Sequence, residues 1–92
     1  MESNDRLDRM KKAIEEFTAA FYQRSDDAVK KFSSSMDDIN NGIMELVLNK
    51  DKYGINETSL LKSLTLAMNA VQEKDFILAA DIFKFDILPL AA

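Results

Sequence analysis

The sequence contains no cysteine, no histidine and no tryptophan, and only two glycines and one proline in 92 residues. Without cysteine it can form neither a disulfide nor a thiolate metal site, which suits a reducing compartment. Without histidine it lacks the commonest general base near neutral pH and the commonest transition-metal ligand. So few glycines and prolines leave too few tight turns for a β-rich fold of this size. No segment approaches the ~18 consecutive apolar residues of a membrane span. The first residues, Met1-Glu2-Ser3-Asn4-Asp5, are acidic and polar, the opposite of a secretory signal. The expected setting is the cytoplasm, with no membrane partner.

What remains is rich in Ala, Leu, Lys, Glu and Met, with 47% hydrophobic residues, and indicates an all-α fold. The length fits one domain covering residues 1–92. A chain this short buries roughly 60–65% of its unfolded surface, so its core has little margin. The net charge of −4 argues against nucleic acid, whose binding rests on phosphate neutralisation. Lys11-Lys12, Lys30-Lys31 and Lys50/Lys52 are isolated pairs interrupted by acids, as on solvated helix faces.

Leu7, Met10, Ile14, Phe17 and Phe21 recur at alternating spacings of three and four. They predict a helix over about 4–24 with a narrow, coiled-coil-like seam, capped at Ser3, Asn4 or Asp5. Ala13 and Ala20 flank the seam, and Arg24 falls where its next member would stand. Ser25-Asp26-Asp27 then reads as the capped start of a second helix. The alternative is one helix running through residue 49, because no glycine or proline stands near Arg24. Val29, Phe32, Met36, Ile39, Ile43, Leu46 and Val47 share an arc of about 100°. The arc keeps its phase across Asn40-Asn41-Gly42, so the helix over 26–49 is expected to continue with a weak point there. A glycine at that position also lets a neighbouring helix come close.

Residues 49–56 are the clearest loop, with Gly54 suited to a left-handed helix end and Asn56 or Thr58 to the next cap. A shorter helix follows over about 57–73, with Leu60, Leu61, Leu64, Ala67, Met68 and Val71 inward and Leu66 off that arc. Asp75 caps a final helix over 75–88, which Pro89 ends. The expected object is a small helical bundle of two longer and two shorter helices around an antiparallel hairpin.

The residues that enzyme chemistry would need are missing. Carboxylate-bridged metal sites in bundles use Glu-x-x-His pairs, and calcium loops need more oxygen ligands than the stretch around Asp51 offers. Neither a nucleophile with a base nor a glycine-rich phosphate loop is present. The expectation is a non-enzyme with no cofactor and no metal. Asp81 and Asp86 sit among apolar residues, and the plain reading pairs Asp81 with Lys84 and leaves Asp86 at a rim.

The final helix is unusual in having two apolar faces. Phe76, Ala79, Ala80, Phe83 and Ile87 form one, and Leu78, Ile82 and Phe85 the other. Such a helix must be covered twice. Leu66, Leu78, Ile82 and Phe85 are therefore the candidate partner-binding residues, and the expected function is a non-catalytic module that self-associates as a homodimer. The alternative is a chaperone or adaptor whose groove receives an amphipathic helix of a client protein. Met10, Met36 and Met68 would then help the surface adapt, although methionines on helix faces are ordinarily core fillers.

Lys74-Asp75-Phe76, Ala80-Asp81 and Asp86-Ile87-Leu88-Pro89 resemble the closing segment of small uncharacterised helical proteins of Gram-positive bacteria. The resemblance covers about a quarter of the chain and implies an all-helical fold and no known activity. Through the association of some such proteins with motility operons it implies that the adaptor alternative would be related to motility or secretion, and it carries over no functional residue. The helical-hairpin secretion substrates with Trp-x-Gly at their turn share the length, but the absence of tryptophan separates them.

Overall fold

The seam of the first helix becomes the centre of the molecule. In the computed structural model, which describes residues 5–91, Leu7, Met10, Ala13, Ile14, Phe17, Ala20 and Phe21 of α1 (Asp5–Tyr22) are all buried. The proposed caps Ser3 and Asn4 lie outside the described residues. The fold is an all-α bundle in which α2 (Ala28–Ser34), α3 (Met36–Leu48), α4 (Lys50–Tyr53), α5 (Glu57–Gln72) and α6 (Phe76–Ile82) follow in order. A π-helical turn over Phe83–Ile87 and a 3₁₀ turn over Leu88–Ala91 close the chain.

One continuous helix through residue 49 is excluded, because the chain reverses after α1. Ser25 N–H donates to Ala20 O and Arg24 N–H to Phe21 O, each at 3.0 Å, which is the Schellman pattern. Arg24 takes the left-handed position, at φ 54°. Ser25 does not cap α2 with its side chain; Asp27 precedes the helix without a capping bond and lies 3.9 Å from Lys31 Nζ.

The helix expected over 26–49 is divided at Ser35, not weakened at Gly42. Ser35 N–H is shared between Lys31 O and Phe32 O, and its Oγ donates back to Lys31 O at 2.8 Å. Such back-bonding competes with the helical ladder and bends it. Gly42 instead lies inside α3 and faces α1: a Cβ there would stand 2.5 Å from Met10 Cβ and Sδ. Phe17 meets Phe32 edge to face at 5.0 Å, so contacts rise along α2–α3 as they fall along α1. The α1/α2–α3 pair is therefore an antiparallel hairpin, with its second arm kinked.

Residues 49–56 hold the single helical turn α4, which the loop reading missed, and Gly54 ends it in the left-handed region at φ 66°. Two inward assignments are corrected. Val29 and Leu61 are exposed: α2 buries only Ala28 and Phe32, and α5 only the arc around Leu60, Ala67 and Ala70. α1 packs against α2, α3, α6 and the two closing turns, and α5 packs on α6 and the π turn. Pro89 does not stop the chain, which continues as a 3₁₀ turn to Ala91. The turn before it widens, with Leu88 N–H reaching Phe83 O. A proline ring crowds the carbonyl four residues earlier, and π bonding moves that carbonyl aside.

Candidate functional site

The C-terminal hairpin of α5 and α6 is fixed by its own caps. Asn56 Oδ1 accepts from Ser59 N–H at 3.0 Å and starts α5. At the other end, Asp75 N–H donates to Ala70 O at 2.8 Å and Lys74 N–H to Val71 O at 3.0 Å, with Lys74 left-handed at φ 63°. Asp75 Oδ1 then accepts from Leu78 N–H at 3.2 Å and starts α6. One residue therefore closes the turn with its backbone and opens the next helix with its side chain.

The inner face of the last segment enters an aromatic cluster. Phe83, fully buried, meets Phe17 at 4.9 Å and Phe32 at 5.8 Å, both edge to face. Phe76 stacks on Phe21 at 5.1 Å. Edge-to-face pairs of this kind add about 0.5–1.5 kcal/mol each beyond their area. Ala79, Ala80 and Ile87 complete this buried face.

The sequence pairing of Asp81 with Lys84 is not formed. Asp81 Oδ1 instead accepts a 2.6 Å hydrogen bond from Tyr22 Oη, tying α6 to the end of α1. Burial first, and then the bond to and charge of Asp81, push the Tyr22 hydroxyl up to about 12. Lys84 Nζ lies 5.2 Å from the centre of the Tyr22 ring and 5.6 Å from that of Phe85, so it caps two aromatic faces.

The outer face carries the residues singled out by the sequence. Phe85 is 64% exposed, Leu66 51% and Leu78 47%, while Ile82 is half-buried. Leu78, Ile82 and Phe85 follow at spacings of four and three, opposite Phe76, Ala80 and Phe83. On α5, Leu66 flanks the Ala70 edge, and on α6, Ile82 flanks the Ala79 edge. α5 and α6 are packed together, so the four candidates stand on one hairpin. Met44 and Leu48, also exposed, lie on α3, which sequence reading did not mark. Met10 is fully buried, and Met36 and Met68 are half-buried against the core, which makes them packing residues first.

Chemistry elsewhere is sparse. No cluster of metal-ligating side chains occurs among the described residues. A shallow cleft of about 560 Å³ between the α1–α2 and α5–α6 turns carries Arg24 and Lys74 beside Val29 and Ile77. No helix among the described residues is long and apolar enough to cross a membrane. Residues 2–91 match the family described as Domain of unknown function (DUF8042). No curated protein and no solved structure matches the chain.

Proposed function

We propose that this chain, which belongs to the DUF8042 family, is a non-catalytic helical module that pairs with a second copy of itself. The observation carrying this reading is the open apolar face formed by Leu66, Leu78, Ile82 and Phe85. The exposure does not come from a loose chain. The radius of gyration is 12.7 Å, close to the ~12.3 Å of a compact domain of this length. Small domains commonly enlarge their core by association, and two-fold dimers are the commonest closed assemblies. The resemblance of the C-terminal segment to small helical proteins of Gram-positive bacteria supports a bacterial setting, and the lack of cysteine suits a cytoplasmic one.

Sedimentation at micromolar concentration tests the reading directly. The parent is expected at twice its 10.4 kDa mass, and Phe85→Asp at the monomer mass with its helicity unchanged. A parent that stays monomeric up to ~100 μM, far above the micromolar range useful to a cell, ends the proposal. The adaptor reading uses the same face; it takes over if Phe85→Asp leaves the oligomer intact but loses a client helix.

A further inference from the structure

The outward face of the C-terminal hairpin carries two stripes whose centres stand at one height. On α5, Lys62, Leu66, Asn69 and Glu73 follow at spacings of four, three and four, which puts them in one line along the helix. On the last segment, Leu78, Ile82 and Phe85 form the second line. The α5 stripe is symmetric about a point between residues 67 and 68; Leu78 and Phe85 are symmetric about a point between 81 and 82, with Ile82 half a residue from it. Both points lie about seven residues from the turn at Lys74, hence roughly 10 Å from it at 1.5 Å per residue. Lys62 and Glu73 are exposed and form no ion pair among the described residues.

This coincidence selects an arrangement. Resting on the self-association reading above, we infer that a second copy docks antiparallel on this face, with one two-fold axis crossing both helices at that height. Lys62 then stands opposite Glu73 of the second copy, twice per dimer. Leu78 meets Phe85 of the second copy, Ile82 sits beside its own counterpart, and Leu66 joins them over the seam. A parallel arrangement, with the axis running along the hairpin, would instead lay α5 over the last segment of the second copy and leave Lys62 and Glu73 without each other. The apolar centre supplies attachment, and the two charges at its ends fix direction and register.

Because the chain contains no cysteine, single substitutions give clean cross-linking probes. Ile82→Cys is expected to form a covalent dimer on mild oxidation. Leu78→Cys alone is expected not to, since its two copies lie about 10 Å apart along the axis, beyond the ~7 Å Cα limit of a disulfide. Combined with Phe85→Cys it cross-links again. In parallel, Lys62→Glu or Glu73→Lys raises the dimer dissociation constant about tenfold at low salt, and the double exchange returns it to within about twofold of the parent. Leu48→Cys on α3 serves as the uncross-linked control, and circular dichroism checks that every variant keeps its helicity. A dimeric parent in which Leu78→Cys links to itself, or in which the double exchange fails to restore affinity, overturns the antiparallel arrangement and leaves self-association standing. A parent that is monomeric throughout overturns both.

Discussion

Gly42 is held by space, not by backbone conformation. It lies inside a regular helix, where alanine would gain about 1 kcal/mol of propensity, yet the added carbon would fall 2.5 Å from Met10 Cβ. That atom is anchored to the α1 backbone and cannot swing aside, so α1 and α3 must separate. Gly42→Ala is expected to destabilise the fold by about 1–3 kcal/mol, read as a lower denaturant midpoint at unchanged slope. Tyr22 gives a second residue-scale test. Its hydroxyl is raised in the folded chain to about 12, above the ~10 of an unfolded tyrosine. The native state therefore holds the proton more tightly, and the stability from this group is complete below pH ~10 and lost as pH rises toward ~12. Stability of the parent should fall across that window more steeply than that of Tyr22→Phe. Tyrosinate absorbance in a Tyr53→Phe background should place the Tyr22 transition near its upper end. The sequence offered no sign of the Tyr22–Asp81 bond, since residues 59 positions apart meet only after the fold is built. The i,i+3 pairing of Asp81 with Lys84 was the sole local partner in view.

At the scale of elements, the periodic apolar arcs were readable and the joints less so. Leu7, Met10, Ile14, Phe17 and Phe21 are all buried, because a seam at helical spacing has one geometric solution. The break at Ser35 escaped notice because the arc keeps its phase through it; a serine hydroxyl competing for a carbonyl leaves no mark on hydrophobic periodicity. Two of the three left-handed helix ends among the described residues were equally silent. Gly54 announces itself, whereas Arg24 and Lys74 occupy the same kind of position without a glycine, at a cost of about 1 kcal/mol each. Lys74→Gly should therefore stabilise the α5–α6 hairpin by up to about 1 kcal/mol, visible as a raised melting temperature. Asp75→Ala, which removes the cap on Leu78 N–H, should cost about as much. The two face assignments of the last helix were legible for the same reason as the seam. What needed the structure was which residues of the hairpin stay uncovered: Leu66, Leu78 and Phe85 are exposed, while Ile82 is half-buried.

At the scale of the whole molecule, a dimer of folded chains links stability to concentration. Association draws on the native state alone, so mass action stabilises it once the concentration exceeds the dissociation constant. Well above that constant the free-monomer fraction falls as the square root of concentration. Each tenfold rise in protein then adds about 0.7 kcal/mol per chain, or roughly 3–5 °C in melting temperature for a domain of this size. The parent should show this slope at high concentration and a plateau at low concentration, where only the monomer is present. Phe85 makes no contact with the buried aromatic cluster and is mostly exposed, so its replacement by aspartate should leave the plateau within about 0.5 kcal/mol of the parent, as for other surface substitutions. The concentration slope, in contrast, should vanish. A Leu48→Asp variant separates this from a general effect of added charge, because Leu48 is 70% exposed on α3 and should keep the full slope. A slope that survives in Phe85→Asp and disappears in Leu48→Asp would move the interface from the C-terminal hairpin to α3, since the melting curve reports only the surface that the second copy covers.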